Sequence, residues 1–295
     1  MGSMKAIIFG ANGQDGYYIN EICLSKGIET IGVSRTGNWV RGDVSSFGCV
    51  EQLIKEHLPE YIFHLAANST TRHDTLFENH ETISTGTLNI LESVKRHSPE
   101  SRVFITGSGV QFENMGKPIS ETDPFEATSP YSIARIQSVY AARYFRSLGL
   151  RVYVGYLFHH ESPLRTQQHI SQMIARAAKG SNEVIDVGDI SVEKEWTFAG
   201  DIARGIITLI EQDEVFEAVI GSGITYSIED WLEQCFGFTG KDWHDHVCLC
   251  KGFTPEYKRL VSNPKTINSL GWYPTVGFAD LARMMMNAEL KARLG

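Results

Sequence analysis

The stretch Gly10-Ala11-Asn12-Gly13-Gln14-Asp15-Gly16 decides the fold of this chain. It follows the apolar run Lys5-Ala6-Ile7-Ile8-Phe9 and opens a helical pattern that continues through Leu24. Glycines at this spacing permit a tight turn and let the backbone approach a pyrophosphate at the helix N-terminus. Between a strand and a helix, the motif predicts a dinucleotide-binding site.

Further apolar runs alternate with helical patterns along the first half of the chain. The predicted strands after the first are residues 30–33, 61–66, 102–106 and 151–157. The predicted helices include residues 49–57, 81–95 and 131–148. Nearly continuous apolar strands that alternate with amphipathic helices are typical of a parallel sheet covered on both faces. The sequence therefore predicts an α/β, doubly wound Rossmann fold.

The pattern loosens after Phe158, where shorter strands and helices follow without a long linker. We therefore expect a Rossmann domain over residues 4–158. Residues 159–295 are expected to form a smaller C-terminal lobe, with crossings back to the first sheet.

Composition and charge exclude several classes of function. The chain of 295 residues has 27 Lys and Arg against 35 Asp and Glu, a net charge of −8, and no basic block. This balance argues against binding to nucleic acid or to an anionic membrane surface, and no 18-residue apolar run predicts a membrane span. The five scattered cysteines indicate reduced thiols and a cytoplasmic protein.

Two histidines and two cysteines alternate near the end of the chain, at His244, His246, Cys248 and Cys250. In an extended strand all four would share one face, and this residue set is one that zinc uses. Single-residue spacing, however, makes it hard for four neighbours on one strand to close a tetrahedron. We therefore predict no metal site.

The end of the second strand indicates which dinucleotide is bound. An acidic residue there would bind the adenosine ribose hydroxyls, whereas a basic residue accommodates a 2′-phosphate. Here the strand ends Ser34-Arg35-Thr36, so we expect NADP(H) rather than NAD(H), with Arg35 on the phosphate. Asp43 is placed either to meet the adenine edge or simply to form a turn.

The chain resembles an extended short-chain dehydrogenase/reductase of the NAD-dependent epimerase/dehydratase family, and most closely the GDP-mannose 4,6-dehydratase group. The motifs that carry the resemblance extend over nearly the whole chain. They are Gln14-Asp15-Gly16, His64-Leu65-Ala66-Ala67, Ser129-Pro130-Tyr131, Leu157-Phe158-His159-His160-Glu161-Ser162-Pro163, Glu195-Trp196-Thr197-Phe198-Ala199-Gly200-Asp201 and Leu270-Gly271-Trp272-Tyr273-Pro274. The His-Glu-Ser-Pro string is the most specific of these, because it distinguishes groups within the superfamily.

The resemblance implies a set of binding residues. For the cofactor they are Gly10, Asn12, Gly13, Gln14, Asp15, Gly16, Arg35, Asp43, Val44, Leu65, Ala66, Ala67, Thr85, Tyr131 and Arg135. For a nucleotide-diphosphate sugar, with GDP favoured, they are His159, Glu161, Ser162, Arg165 and Lys194 in the C-terminal lobe. His159 stands where the group has Asn, and Lys194 where it has Arg.

The chemistry of the group requires four active-site residues, of which this chain keeps Tyr131 as the acid/base. The group's Lys, four residues later, is replaced by Arg135, which keeps the charge but is a poor proton relay. The segment that should read Thr-Ser-Glu reads Gly107-Ser108-Gly109. Thr106 or Ser108 could supply the hydroxyl, but nothing nearby replaces the Glu that removes the C5 proton during dehydration.

The sequence therefore predicts an NADP-dependent enzyme that transfers hydride at C4 of a nucleotide-linked sugar, with GDP favoured, as a 4-keto reductase or 4-dehydrogenase. Two alternatives stay open. One is a 4,6-dehydratase with a displaced acid/base. The other is a catalytically impaired homologue that binds cofactor and sugar nucleotide as a regulatory or partner subunit.

The resemblance also implies a homodimer, because extended members commonly pair two helices from each subunit. The corresponding segments here are residues 84–95 and 131–148. The second segment has more apolar surface than one sheet-facing stripe requires, carried by Ile133, Val139, Tyr140, Tyr144 and Phe145.

Overall fold

The structure, a computed structural model, describes residues 3–180 and 184–287. Its strands are β1 Lys5–Phe9, β2 Glu29–Ser34, β3 Val40–Arg41, β4 Tyr61–His64, β5 Arg102–Ser108, β6 Arg151–Leu157, β7 His160–Glu161, β8 Ile185–Val187, β9 Glu193–Glu195, β10 Thr197–Phe198, β11 Glu217–Ile220, β12 Thr225–Ser227, β13 Val247–Leu249 and β14 Arg259–Leu260. Its α-helices are α1 Gln14–Ser25, α2 Phe47–His57, α3 Leu76–Asn79, α4 Gly86–His97, α5 Pro130–Ser147, α6 Ile170–Lys179, α7 Ala199–Ile210, α8 Ile228–Gly237, α9 Lys265–Ser269 and α10 Phe278–Asn287.

A seven-stranded parallel sheet forms the centre of the molecule, in the order β11-β6-β5-β4-β1-β2-β3. The strand order reverses between β1 and β4, and in open α/β sheets ligands bind beyond the carboxyl ends of the strands at such a point. The glycine-rich turn after β1 lies at this position. The predicted doubly wound fold is confirmed.

Helices cover both faces of the sheet. One face packs on α2, α4 and α5, and the other on α1 and α7, so that each face has its own apolar core. The middle strands are buried on both sides, and Val103, Phe104 and Ile105 of β5 have no exposed surface. This burial explains why their sequences are continuous apolar runs rather than alternating ones.

The smaller lobe is built on α6, α8 and α10, with three small sheets of two or three short strands. Its core includes the stacked rings of Trp196 and Trp231, whose centroids are 4.3 Å apart. The chain then returns to the large sheet, because α7 packs on it and β11 becomes its edge strand beside β6.

Two local features differ from the sequence-based expectation. The predicted helix over residues 81–95 is interrupted by a π-helical stretch, His80–Thr85, which joins α3 to α4. His244 lies in a 3₁₀ turn ahead of the short strand β13, so the alternating histidines and cysteines do not form one extended strand.

Within the described residues, the helices are too short or too polar to cross a membrane.

Several apolar side chains on the outer surface of α5 remain exposed. Ile133, Tyr140 and Tyr144 are 38%, 59% and 60% exposed, and their spacing places them on one face of the helix. Leu88 of α4 is also exposed, at 49%. Val139 and Phe145, which the sequence grouped with them, are buried in the core.

We expect this α4–α5 surface to pair with a second copy of the chain. Tyr144→Lys should place a charge in the apolar face and shift the protein from dimer to monomer at micromolar concentration, as measured by light scattering. Leu24→Lys, on an exposed site of α1, is the control and should leave the mass unchanged. A monomeric wild-type protein would contradict the expectation.

Candidate active site

The turn between β1 and α1 lies very close to the backbone of the segment that follows β4. Gly10 has a φ of +92°, and a Cβ there would lie 2.6 Å from the backbone nitrogen of Ala66. No side chain caps the N-terminus of α1 at Gly13, so its first amides are available to an anionic group. The turn therefore fits a dinucleotide pyrophosphate.

A cavity of about 250 Å³ lies over this turn. It is lined by the predicted cofactor residues Gly10, Asn12, Gly13, Arg35, Asp43, Val44, Leu65, Ala66 and Ala67. Thr82 of the π-helical stretch also lines it, whereas the predicted Thr85 does not. Gln14, Asp15 and Gly16 line an adjoining cavity together with Arg165 and His169.

Arg35, directly after β2, is half-exposed and already has an acidic partner. Its Nη2 atom lies 3.2 Å from Oε1 of Glu78, and the other carboxylate oxygen of Glu78 accepts a hydrogen bond from Asn68 at 3.0 Å. A 2′-phosphate on Arg35 would have to compete with this carboxylate. Asp43 accepts hydrogen bonds from the backbone and side chain of Ser45, at 2.9 and 2.8 Å, which makes it a turn residue at the cavity wall.

A second cavity contains the predicted catalytic residues Tyr131, Arg135, Thr106 and Ser108. Tyr131 lies in the first turn of α5, which Ser129 caps by accepting a hydrogen bond from the backbone of Ser132. The guanidinium carbon of Arg135 lies 4.9 Å from the centre of the Tyr131 ring. Its Nη1 donates to the carbonyl of Thr106 at 2.6 Å. Positive charge is therefore fixed beside the phenol, and part of the guanidinium is engaged by β5.

The structure distinguishes the two candidate hydroxyls. Thr106 donates its hydroxyl proton to the carbonyl of His64 at 2.8 Å. Ser108 accepts a long hydrogen bond from the backbone of Val110, and its own proton has no acceptor among the described residues. Ser108 is therefore the better donor to a ligand oxygen in this cavity.

Aromatic rings fill the space beside the two glycines that replace the group's Thr and Glu. A Cβ on Gly107 would lie 2.7 Å from the ring of Tyr156, and a Cβ on Gly109 would lie 2.9 Å from the ring of Phe158. A carboxylate side chain at position 109 could enter only if Phe158 moved. The change at Gly109 thus alters the shape of the cavity wall as well as its chemistry.

Glu161 is the centre of a buried polar cluster in the predicted substrate site. One oxygen lies 2.8 Å from His159 Nε2 and 3.1 Å from His169 Nδ1, and the other accepts from Ser171 at 2.7 Å. Burial acts to raise the pKa of Glu161, but Arg165 and the two histidines outweigh it and hold that pKa well below its usual value. Glu161 is therefore an anion at neutral pH.

The His159, Glu161 and His169 ligand atoms lie within 4.8 Å of one another, close enough to hold a metal ion. However, Arg165 can only donate, and its Nη2 lies 3.0 Å from His169 Nε2. Nε2 of His169 must therefore accept this hydrogen bond, which leaves the ring hydrogen on Nδ1, the atom that would have to bind the metal. With Lys194 also acting on this cluster, the surroundings favour an anion over a cation.

Lys194, predicted to bind substrate, is buried at the edge of this cluster. Its ammonium group lies 4.9 Å from the Trp196 ring centre. Burial lowers the pKa of Lys194 to about 8, because the charged form is poorly solvated. The Glu161 carboxylate partly offsets this effect of burial, and an incoming phosphate would add further negative charge beside the ammonium group.

His160 is the main site residue that the sequence reasoning did not single out. It belongs to the quoted His-Glu-Ser-Pro string, so the signal was present, but its ion pair with Asp15 at 2.9 Å joins segments 145 positions apart. Phe158 of the same string was not singled out either. Glu78, the partner of Arg35, and Thr82, which lines the first cavity, were missed because nothing in their local sequence marks them.

Comparison with known proteins agrees with this geometry. The family model for GDP-mannose 4,6 dehydratase matches residues 7–285. GDP-mannose 4,6 dehydratase 1 of Arabidopsis thaliana is 28% identical and covers 97% of this chain and 90% of its own length. The Homo sapiens GDP-mannose 4,6 dehydratase is 26% identical, with 97% and 91% covered.

Solved structures share the fold at lower identity. UDP-glucose 4-epimerase of Thermus thermophilus, in complex with NAD, has a TM-score of 0.84 at 20% identity and covers 96% of this chain and 98% of its own. RMD from Pseudomonas aeruginosa, complexed with NADPH, has a TM-score of 0.81 at 18% identity, with 96% of each chain covered. With the family match over nearly its whole length, this chain belongs to the GDP-mannose 4,6-dehydratase family, within the extended short-chain dehydrogenases/reductases.

Proposed function

We propose that this protein is an NADP(H)-dependent oxidoreductase that acts at C4 of a GDP-linked sugar. The observation that carries the proposal is that a Tyr131–Arg135 cavity lies beside the glycine-turn cavity, in a site where Gly109 replaces the group's dehydration base and packs against the Phe158 ring. Tyr131 and its neighbouring cation suffice for redox chemistry at C4, whereas dehydration needs a further base.

In this proposal Tyr131, Ser108 and Arg135 have distinct roles in the chemistry at C4. A nicotinamide dinucleotide held over the glycine turn would provide the hydride acceptor or donor for C4. Tyr131 takes the proton from the C4 hydroxyl during oxidation, or gives one to the ketone oxygen during reduction. Ser108 donates a hydrogen bond to the same oxygen. Arg135, held by the Thr106 carbonyl, keeps a positive charge beside the phenol through both steps.

The proposed substrate site lies at the buried cluster around Glu161. Arg165, Lys194 and His169 present positive or hydrogen-bonding groups to one region, which suits a diphosphate. The choice of GDP rests on the names of the relatives, which include a Vibrio cholerae GDP-mannose 4,6-dehydratase at 26% identity. Among the solved neighbours, the UDP-glucose 4-epimerase of Thermotoga maritima was determined with UDP-glucose instead.

A full 4,6-dehydratase is the second candidate, and the family match favours it. It would need a proton-transfer group other than position 109. A catalytically impaired binding subunit is the remaining alternative, and it would bind both ligands without turnover.

The first prediction concerns the choice of cofactor. We expect NADPH to bind at least tenfold more tightly than NADH, about 1.4 kcal/mol, and Arg35→Asp to reverse the order. Glu78→Gln should raise the affinity for NADPH and leave that for NADH unchanged, because it removes the carboxylate that competes with the 2′-phosphate. Fluorescence titration measures these affinities, and equal affinities in the wild type would refute the assignment.

The second prediction concerns the acid/base. Tyr131→Phe should abolish redox turnover, since only the proton-transfer group is lost, while NADPH affinity stays nearly unchanged. Arg135→Lys should retain or raise activity, because lysine is the group's usual proton relay. Normal turnover by Tyr131→Phe would place the chemistry elsewhere.

The third prediction concerns dehydration. General-base assistance is typically worth about 10² to 10⁴ in rate, and Gly109 supplies none. Given GDP-mannose and NADP in deuterated water, the wild type should form no 6-deoxy sugar labelled at C5, as followed by mass spectrometry. Gly109→Glu alone should stay inactive because Phe158 blocks it, and Phe158→Ala with Gly109→Glu tests that reason. Steady formation of the labelled product by the wild type would favour the dehydratase.

A further inference from the structure

Two adjacent residues in the first turn of α1 contact the proposed substrate lobe. Asp15 Oδ1 lies 2.9 Å from His160 Nε2, and Ser162 donates to Gln14 Oε1 at 2.9 Å. Gln14 also donates a long hydrogen bond to the carbonyl of His160. We call these contacts of Gln14 and Asp15 with His160 and Ser162 the interlobe seam.

The hydrogen bonds of His160 require its ring to be charged. Nδ1 lies 2.7 Å from the carbonyl of Phe158, and Nε2 faces the carboxylate of Asp15. Both partners are acceptors, so both ring nitrogens must carry hydrogen. Burial acts to lower the pKa of His160, but Asp15 outweighs it and raises that pKa. Burial acts to raise the pKa of Asp15, but His160 outweighs it and lowers that pKa.

The other charged groups around the pair come from two further elements. Arg165, in the loop after β7, opposes the charge of His160 and favours that of Asp15. Arg135 of α5 also favours the ionised Asp15. Tyr18 of α1 lies near Asp15. The carboxylate is therefore surrounded by positive charge, and the ion pair is maintained from both lobes.

The seam lies between the two proposed ligands. Asp15 lines both the Tyr131 cavity and the cavity beside the glycine turn, and Gln14 lines the second of these. On the other side, His160 lines the Tyr131 cavity and fixes the Phe158 carbonyl, and with it the strand end that carries His159. A pyrophosphate that orders the start of α1 would thus also order the substrate wall.

Resting on the proposed function, we propose that the interlobe seam couples the two binding events, with Asp15 and His160 as positioning residues. Each ligand orders one side of the same ion pair, so the second ligand meets a site already ordered by the first. Coupling of this kind is reciprocal and typically changes affinity by about 5- to 150-fold. Neither residue transfers a proton to substrate in this scheme.

The experiment measures NADPH affinity by calorimetry with and without saturating GDP-mannose. In the wild type, saturating sugar nucleotide should raise the affinity for NADPH about fivefold or more. In His160→Gln and in Asp15→Asn the effect should fall below about twofold, and the double variant should lose no more than either single variant. His97→Gln is the matched control, because His97 pairs with Glu51 at 3.0 Å in another ion pair, on the α2–α4 side. It should leave the coupling intact.

A pH series separates coupling from general stability. Coupling should be present while His160 is charged and should be lost as the pH rises through its raised pKa. Asp15→Asn, which lacks the ion pair, should show weak coupling at every pH in this series, whereas a general loss of stability would follow pH in the wild type and in the variant alike. If both ligands bind the wild type independently, the seam proposal is refuted while the proposed function stands. If neither binds, the proposed function fails and the seam proposal with it. If His160→Gln does not fold, the wild-type pH series and Asp15→Asn decide.

Discussion

The close approach of the glycine turn to the end of β4 is the constraint on which the site depends. Because Gly10 has no side chain, the turn lies against the backbone of Leu65 and Ala66, which brings the start of α1 to the point where the strand order reverses. That placement opens the cavity over the glycine turn on one side. On the other side it presents Gln14 and Asp15 to the smaller lobe. A methyl group at position 10 would push the turn away from Leu65 and Ala66, and would thereby disturb both the cavity and the contact of α1 with the smaller lobe.

The departures from the family pattern form a connected set. Gly107 and Gly109 lie against rings from the neighbouring strand β6 and the residue after it, Tyr156 and Phe158. At Gly107 and Gly109 the wall of the cavity therefore lacks the group's polar side chains and presents these rings instead, while Tyr131 and a cation remain.

Much of the fold was predictable, because buried parallel strands produce runs that periodicity detects; β1 and β6 have the predicted limits. The strand β3 was missed because two exposed residues leave no pattern, and β11 because the chain leaves the sheet and returns after about sixty residues. In the site, the glycine turn and Tyr131 could be identified from local motifs. The choice between Thr106 and Ser108, the Arg35–Glu78 pair and the role of His160 depend on contacts between distant segments, which sequence spacing does not report.

The return of β11 to the sheet also affects how the chain can be divided. β11 covers the outer edge of β6, and Glu217 at its start accepts hydrogen bonds from Arg143, Arg146 and Tyr156. A fragment ending at residue 158 would leave β6 as an open edge with two arginines deprived of their carboxylate. Open edges recruit other strands. We therefore expect the first 158 residues to be prone to association when made alone, and the β6 edge of a newly synthesised chain to stay open until β11, which ends at Ile220, has been made.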